Sequence, residues 1–302
     1  MIDYIYIETT NYCNLSCSFC NRDEVIGPLK HMTVDDFRRV LDSIKTHPVK
    51  EAKLMGMGEP FLHPQFDEIC AVFKQYFPNA KLISATNCQY TPGPVFQRAL
   101  KYIDLLYLSI DGYEDSYEQF RAPSKWSKLI KFLNLLKEMD KFNCQLAINY
   151  VINPGNVRDI QLVYDNIYTP YAIDEFRLNV AQAWSPEDSI PIDYTQEQLD
   201  YLRETWKPYI KGKAPWEYKD CFWVDKGLYV TVEGRVLMCC MNTAEKGFGN
   251  MLQQPLNLIR TSKRFIEVVN GCKNNTPTDH CKSCSYKELV PILTTLGINN
   301  ET

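Results

Sequence analysis

The sequence predicts an α/β fold with a parallel sheet, followed by a smaller cysteine-bearing domain. Six strand-like runs alternate with helical patterns between residues 4 and 206, which is the pattern of repeated βαβ units. A hairpin signal and six of the twelve cysteines come after residue 206. A chain of 302 residues can bury a core large enough for an enzyme. We therefore expect a large domain over residues 1–206 and a small accessory domain over residues 207–302.

The strand-like runs are short and occupy residues 4–9, 51–57, 81–86, 104–110, 145–152 and 175–180. The helical patterns occupy residues 33–47, 66–76, 95–101, 125–139, 157–166 and 196–206. Thr33 and Asp36 resemble an N-cap and its capping-box partner at the start of the first helix. Repeated βαβ units imply right-handed crossovers and place chemistry at the carboxyl ends of the strands, in either a doubly wound sheet or a barrel.

The accessory domain begins with a predicted β-hairpin. Residues 228–232 and 235–238 are strand-like, and Glu233-Gly234 between them is a turn signal. An irregular segment that carries cysteines follows the hairpin.

Composition excludes several classes of protein. A hydrophobic content of 45% and an aromatic content of 13% are too high for a disordered chain, and no apolar stretch is long enough to span a bilayer. The 33 basic residues against 37 acidic residues remove the general attraction for nucleic acid. Because the first residues carry no secretory signal, we expect a cytoplasmic protein without membrane or nucleic-acid partners, whose clustered cysteines bind metal.

Cys13, Cys17 and Cys20 follow directly after the first predicted strand, where a βα fold presents its active-site loops. Three thiolates can hold three irons of a [4Fe-4S] cluster and leave the fourth iron open for chemistry. The alternative is a structural zinc ion completed by a distant histidine or cysteine. The spacing disfavours it, because structural zinc sites commonly use paired C-x-x-C knuckles.

The spacing C-x-x-x-C-x-x-C, with Phe19 before the last cysteine, resembles the signature of the radical S-adenosylmethionine (AdoMet) enzymes. The resemblance implies a partial, six-unit (β/α) barrel similar to a TIM barrel. It also implies that AdoMet binds at the open iron and is cleaved reductively to a 5'-deoxyadenosyl radical. Met57-Gly58-Glu59-Pro60 resembles the family's G-G-E-P motif, with Met57 in place of the first glycine, which implies that Gly58, Glu59 and Pro60 face the AdoMet amino group.

Further segments resemble parts of the family that face AdoMet. Ser109-Ile110-Asp111-Gly112 is similar to the S-x-D-G motif, whose polar side chains face the ribose and carboxylate. The downstream segment that ends at Arg121 resembles a family segment whose arginine can pair with the AdoMet carboxylate. A solvated surface arginine is the alternative for Arg121. On the fifth predicted strand, Asn149, Val151 and Ile152 are candidates to line the adenine, with core packing as the alternative for the two aliphatic residues. The candidate AdoMet contacts in these segments are Ser109, Asp111, Arg121, Asn149 and Val151, together with Asn87 directly after the third predicted strand.

Two residues are candidates for chemistry on the substrate. Cys88 occupies a position that the family usually gives to glycine, and a thiol there could return a hydrogen atom to a substrate radical. A small buried side chain is the alternative for Cys88. Arg177, on the last predicted barrel strand, is a candidate proton acceptor or phosphate clamp, with a salt-bridged arginine at the barrel rim as the alternative. The candidate substrate contacts that follow it are Asn179, Gln182 and Trp184.

The spacing of four C-terminal cysteines resembles that of the twitch domain, the short single-cluster form of the SPASM domain. These residues are Cys221, Cys239, Cys281 and Cys284. The resemblance implies a second, closed [4Fe-4S] cluster with an electron-transfer or structural role. By ligand chemistry alone, a zinc ribbon is an equal alternative. Cys240 could replace Cys239, and Cys272 is unassigned.

The resemblance implies an oxidoreductase that abstracts a hydrogen atom from its substrate. A closed second cluster can accept the electron of the substrate radical, which favours a two-electron oxidation. Peptide-modifying relatives commonly carry an N-terminal leader-binding domain, whereas this sequence starts directly with its first strand. We therefore expect a small sugar, cyclitol or nucleotide-linked metabolite as substrate and a reducing partner such as flavodoxin or ferredoxin. The alternatives are a peptide-modifying or sulfatase-maturase-like enzyme and a non-catalytic metal-binding interaction protein.

Overall fold

The fold is described by a computed structural model over residues 1–182, 192–240, 247–282 and 284–298. Within these residues, ten strands form one sheet in the order β10-β9-β8-β1-β2-β3-β4-β5-β6-β7. The strands are β1 (Tyr4–Ile7), β2 (Glu51–Leu54), β3 (Lys81–Thr86), β4 (Leu105–Ser109), β5 (Gln145–Ile152), β6 (Glu175–Val180), β7 (Ile210–Lys211), β8 (Gly227–Val230), β9 (Arg235–Leu237) and β10 (Gly249–Asn250). Neighbouring strands from β1 to β7 are parallel, as the βαβ pattern predicts.

The helices that connect the strands lie mostly in the first two thirds of the chain, and the accessory segment adds five more. They are α1 (Arg22–Val25), α2 (Val34–Asp42), α3 (Phe66–Tyr76), α4 (Pro94–Ala99), α5 (Asp115–Phe120), α6 (Trp126–Glu138), α7 (Asp159–Val163), α8 (Gln196–Tyr201), α9 (Phe222–Lys226), α10 (Leu256–Arg260), α11 (Lys263–Lys273), α12 (Asp279–Lys282) and α13 (Tyr286–Thr295). Wider π-helical turns extend α7 over Tyr164–Tyr168 and α8 over Leu202–Trp206. No helix among the described residues is long and apolar enough to cross a membrane.

The predicted α/β fold is confirmed, and the first six strands are those of a partial barrel. The alternation of strand residues decides which side chains face the helices: Ile5 and Ile7 of β1, and Leu54 of β2, belong to the main core. Burying an aliphatic or aromatic side chain of this size contributes about 1.5–3 kcal/mol. The opposite, inner face of the sheet carries polar residues and a small separate apolar cluster.

The start of α2 differs in one detail from the prediction. The Thr33 hydroxyl accepts a hydrogen bond from the Asp36 N–H at 3.0 Å, so Thr33 is the N-cap. The Asp36 carboxylate does not return the bond in a capping box but pairs with Arg39 at 3.0 Å. A shorter aspartate reaches back to the cap less readily than the glutamate or glutamine that is usual in a capping box.

The predicted hairpin is present as β8 and β9, and it extends the barrel sheet. β8 pairs in parallel with β1 from Tyr4 opposite Gly227 to Ile7 opposite Val230. At the turn, Gly234 has φ +83°, and a Cβ there would lie 2.6 Å from the Leu252 side chain, so glycine is required. The predicted domain boundary at residues 206 and 207 stays a prediction, since the hydrogen-bonded sheet runs across it.

Candidate active site

The loop with the first three cysteines follows β1 and is held against a segment that comes 100 residues later. The Ser16 N–H donates to the Ala122 carbonyl at 2.7 Å, and the Ser18 N–H donates to the Phe120 carbonyl at 3.0 Å. Burial raises the pKa of all three thiols, that of Cys17 to about 11. In the free protein the thiols therefore keep their protons, and metal binding has to displace them.

Glu59 connects the cysteine loop to the loops after β2 and β3. Its N–H donates to the Tyr12 carbonyl at 2.8 Å, next to Cys13. Its carboxylate accepts the Asn87 N–H at 2.7 Å and the Phe61 N–H at 3.4 Å. Burial raises the pKa of Glu59 to about 7, although the Asn87 N–H acts in the opposite direction. Glu59 is thus a buried carboxyl group, poised near neutral pH, beside the cysteine loop.

Arg121 forms a buried ion pair with Asp111. Its Nε lies 2.6 Å from the Asp111 Oδ2, and the two side chains are 8% and 0% exposed. The other Asp111 oxygen accepts the Val151 N–H at 2.7 Å. The Arg121 guanidinium also contacts the Cys17 sulfur at 3.9 Å and lies 5.5 Å from the centre of the Phe19 ring. Arg121 is therefore not a solvated surface residue but a fixed cation beside the cysteine loop.

A cavity of about 200 Å³ lies between these loops. Eight of the residues predicted for cluster or AdoMet binding line it: Cys13, Cys17, Phe19, Cys20, Gly58, Glu59, Asn87 and Arg121. The Asn87 amide donates to the Asn14 side chain at 2.7 Å and lies 3.9 Å from the Cys13 sulfur. The cavity is bordered by thiols, a carboxyl group, an amide and a guanidinium, which suits a zwitterionic ligand beside a metal cluster.

Five other predicted AdoMet contacts do not line this cavity. Asp111 and Val151 lie behind Arg121, and Pro60 is buried at the start of a short 3₁₀ turn. Ser109 on β4 is paired with Asn149 on β5 in the register of the sheet. Ser109 and Asn149 therefore place polar side chains on β4 and β5, beyond the cavity itself.

Cys88 is fully buried in the main core. Its thiol donates to the Thr86 carbonyl at 3.7 Å, and it has φ +59°, a left-handed conformation that favours glycine. The thiol is not among the residues that line the cavity. This burial favours a packing role over hydrogen-atom transfer.

Arg177 lies on the inner face of the sheet and pairs with Glu175 at 3.1 Å. The Asn179 amide donates to the Asn149 side chain at 2.9 Å, and the Gln182 amide donates to the Ser285 hydroxyl at 3.0 Å. Trp184 lies outside the described residues.

Glu8, just after β1, is a buried carboxyl group that borders the Met57 loop and was not predicted from the sequence. Its buried carboxylate accepts hydrogen bonds from the Met57 N–H at 3.2 Å, the Tyr229 hydroxyl at 2.6 Å and the Val232 N–H at 3.3 Å. Burial raises the pKa of Glu8. Glu8 therefore ties the Met57 loop to the accessory hairpin. Arg22 was missed as well: it lines the cavity and donates to the Asn11 carbonyl at 2.8 Å.

The accessory segment gathers six cysteines from β9, four helices and their flanking turns. They are Cys221, Cys239, Cys240, Cys272, Cys281 and Cys284. Cys272 and Cys281 share a side-chain hydrogen bond, which raises the pKa of Cys281 and lowers that of Cys272. Cys240 is close enough to Cys221 and Cys284 for each to raise its pKa, and burial, the largest cause, brings that pKa to about 11. The geometry keeps both Cys239 and Cys240 within this cluster.

Among the described residues, no three His, Cys, Asp or Glu side chains stand close enough together to surround a metal ion. The chemistry of the thiol ligands alone leaves a zinc ribbon and a four-iron cluster as alternatives for the C-terminal cysteines.

The fold and the cysteine-lined site define a class of iron–sulfur enzyme that acts on AdoMet. Sequence comparison agrees: the profile of the "Radical SAM superfamily" matches residues 7–165, and that of the SPASM "iron-sulfur cluster-binding domain" matches residues 221–285. The chain belongs to the radical SAM superfamily and carries a SPASM domain. It is an enzyme whose cofactors are AdoMet, a [4Fe-4S] cluster and an auxiliary cluster.

Individual proteins resemble the chain over most of its length. The tungsten-containing aldehyde ferredoxin oxidoreductase cofactor-modifying protein of Pyrococcus furiosus is 34% identical, covering 98% of this chain and 91% of that protein. The sporulation killing factor maturation protein SkfB of Bacillus subtilis is 23% identical, and the match covers 89% of this chain and 67% of SkfB. SuiB of Streptococcus suis, solved with its precursor peptide SuiA, shares the fold with a TM-score of 0.72 and 17% identity, covering 95% and 70% of the two chains.

Replacing Gly58 with alanine is expected to weaken AdoMet binding and to lower stability by about 1–3 kcal/mol. A Cβ at Gly58 would lie 2.3 Å from the Thr10 carbonyl oxygen and 2.7 Å from that of Tyr12, and these backbone atoms cannot rotate away. The loop would have to move off the cysteine loop. Urea denaturation and equilibrium binding of AdoMet to the reconstituted enzyme measure the two effects. Gly93→Ala is the matched control, because its Cβ meets nothing within 4 Å; equal behaviour of the two variants would contradict the argument.

Proposed function

We propose that this enzyme cleaves AdoMet reductively and oxidises a small molecule by two electrons. The observation that carries the proposal is the cavity in which three thiols meet Glu59, Asn87 and Arg121. When bound, the cluster and AdoMet supply a 5'-deoxyadenosyl radical that can take a hydrogen atom from an unactivated carbon. The protein decides which carbon is presented.

The donor set of the cavity fits AdoMet. Cys13, Cys17 and Cys20 would ligate three irons, so the fourth keeps a free coordination position. Glu59 offers a carboxylate to an amino group, and Arg121 offers guanidinium N–H groups to a carboxylate. Gly58 brings the backbone within reach because it has no Cβ. These assignments to individual residues are part of the proposal.

In this proposal Asp111 does not contact AdoMet itself but holds the Arg121 side chain in place. Burial raises the pKa of Asp111, but the adjacent guanidinium lowers it. The pair keeps Arg121 charged and fixes its Nε, while its Nη1 lies 3.9 Å from the Cys17 sulfur at the border of the cavity. Ser109 and Asn149, side by side on β4 and β5, would meet the nucleoside part of AdoMet.

The auxiliary cysteines support an oxidation. After it loses a hydrogen atom, a substrate radical must give up one electron and one proton to complete a two-electron oxidation. A cluster held by Cys221, Cys239, Cys281 and Cys284 is an acceptor for that electron, and a reduced flavodoxin or ferredoxin would supply the electron that starts the cycle. The 34% identical relative modifies a cofactor according to its name, which supports a non-peptide substrate such as a sugar, cyclitol or nucleotide-linked metabolite.

A second candidate is the oxidative modification of a peptide. Its support is the similarity to SkfB, a maturation protein by name, and to SuiB, whose structure contains a precursor peptide. The small-molecule oxidation and the peptide oxidation would use the same AdoMet-binding cavity of this chain, and only the substrate would differ.

A substrate screen under anaerobic conditions distinguishes these functions. The reconstituted enzyme, AdoMet and dithionite are incubated with a panel of polyols, sugars and nucleotide sugars, and separately with a panel of peptides. The expected result is one equivalent of 5'-deoxyadenosine per molecule of a non-peptide product that is two hydrogens lighter. Turnover of peptides alone would overturn the small-molecule proposal in favour of the second candidate. A fully loaded enzyme that never cleaves AdoMet would overturn both.

A further inference from the structure

The inner face of the sheet carries a group of residues that the cofactor site does not use. Tyr6 on β1, Lys53 on β2, Tyr107 on β4 and Arg177 on β6 form what we call the inner cationic cluster. The Lys53 Nζ lies 5.0 Å from the centre of the Tyr6 ring and 5.9 Å from that of Tyr107. The Arg177 guanidinium lies 5.3 Å from the Tyr107 ring on the same face. Lys53, Tyr107 and Arg177 come from the alternate strands β2, β4 and β6 and meet in one layer, as residues of alternate strands do inside a closed barrel, and Tyr6 of β1 borders Lys53.

The cluster lies between the two cofactor sites. Arg177 pairs in the sheet register with Asn149, which in turn pairs with Ser109. On the other side, Cys240 of the auxiliary group is close enough to act on the pKa of both Tyr6 and Lys53. A molecule resting on this layer would therefore lie beside the AdoMet-facing strands and within reach of the auxiliary cysteines.

One of the two carboxylates next to the layer is shared with a third cation, Lys211 on β7. Lys53 lies 3.7 Å from Glu51, while Arg177 and Lys211 share Glu175 at 3.1 and 3.2 Å. Three cations are thus served by two carboxylates among the described residues. Glu51 precedes Lys53 on β2, and Glu175 precedes Arg177 on β6. Both carboxylates therefore lie nearer the amino ends of their strands, away from the edge of the sheet that carries the active site. Burial lowers the pKa of Lys53, and the positive charge of Arg177 acts in the same direction.

The two cations are accessible although they point into the concave face. The Lys53 and Arg177 side chains are 20% and 26% exposed, in contrast to the fully buried residues on the opposite face of the same strands. Cations that are partly desolvated and held over aromatic rings bind anions more strongly than solvated surface lysines do.

We propose that Lys53 and Arg177, framed by Tyr6 and Tyr107, bind an anionic group of the substrate, a carboxylate or a phosphate, on the inner face of the sheet. The inference rests on the proposed function, because it assumes that a substrate reacts in the space between the two cofactor sites. It narrows the substrate to a molecule that carries such a group. The guanidinium of Arg177 suits two oxygens of one anion, and the Lys53 ammonium adds a point charge.

Simple anions test the site directly. Inorganic phosphate and acetate are titrated separately into the AdoMet-bound, reconstituted enzyme by calorimetry, and the two titrations distinguish a phosphate site from a carboxylate site. Saturable binding of at least one anion is expected in the wild type, with at least about tenfold weaker binding in Lys53→Met and in Arg177→Met. A tenfold loss corresponds to about 1.4 kcal/mol. The conservative variants Lys53→Arg and Arg177→Lys should recover part of the affinity, which excludes a general loss of folding.

Lys50→Met is the matched control. Lys50 lies just before β2, is 67% exposed and pairs with Asp3 at 2.8 Å, and it is not among the residues that line the cavity or the inner cationic cluster, so its replacement should leave anion binding and AdoMet cleavage unchanged. Anion binding that is absent from the wild type, or equal in wild type and Lys53→Met, would overturn this inference alone. Wild-type enzyme that binds anions but never cleaves AdoMet would instead overturn the proposed function.

Discussion

The Cys13/Cys17/Cys20→Ala variant is expected to produce no 5'-deoxyadenosine and to lose half of its iron. Two [4Fe-4S] clusters correspond to about eight irons per chain, and about four should remain in the auxiliary site. The reason is geometric: the three thiols share one loop that is fixed by hydrogen bonds to residues 120 and 122, and no other cysteine lines the cavity among the described residues. Iron and sulfide analysis and an AdoMet cleavage assay with dithionite measure both effects.

Buried cysteines elsewhere provide the control for that experiment. Cys70 in α3 and Cys144 before β5 are buried and distant in sequence from both cysteine groups. Cys70→Ala and Cys144→Ala should retain about eight irons and the wild-type rate of cleavage. If the triple variant still held about eight irons, or still cleaved AdoMet, the assignment of the open cluster to this loop would be wrong.

Asp111→Asn is expected to destabilise the protein by about 3–5 kcal/mol, a loss typical of breaking a buried ion pair from one side. The substitution keeps the volume of the side chain but leaves the Arg121 guanidinium buried without its counterion at 2.6 Å. Arg121 is also the cation beside Cys17 and Phe19, so AdoMet binding should weaken together with stability. Urea denaturation gives the first quantity and equilibrium binding gives the second.

The exposed pair of Lys45 and Asp42 provides the comparison for Asp111→Asn. These side chains are 59% and 51% exposed at a separation of 3.1 Å, so Lys45→Met should cost less than about 1 kcal/mol. The double variant Asp111→Asn/Arg121→Gln should be less destabilised than the sum of its single variants, because the uncompensated charge is then removed. Strict additivity would show that the pair does not act as a unit.

The sequence predicted the first six parallel strands, which lie between turn signals, but not the two-residue strand β7. The short helices α1 and α5 were missed, since four and six residues carry little helical periodicity. The prediction of an irregular segment after the hairpin was wrong, because α10, α11, α12 and α13 lie there. The cysteine loop and the Gly58-Glu59 loop were predicted because their residues are contiguous in sequence.

Contacts between distant residues were not predictable in this way. A glutamate directly after a β-strand, such as Glu8, gives no motif, and its partner Tyr229 is 221 residues away. The layer formed by Lys53, Tyr107 and Arg177 depends on the curvature of the sheet, which a single sequence does not encode locally. The contact between Asp111 and Arg121 at 2.6 Å is likewise given by the fold and not by the S-x-D-G motif.

The position of β1 between β2 and β8 has a consequence for how the chain is made. The first strand leaves the ribosome early, but the segment that covers its second edge is synthesised more than 200 residues later. Until then the edge exposes unpaired backbone groups, which are prone to intermolecular pairing. Pairings of such long sequence separation also form slowly. The nascent chain thus has an interval in which its future cysteine loop follows a strand with one unpaired edge, and this interval ends only when β8 has been synthesised.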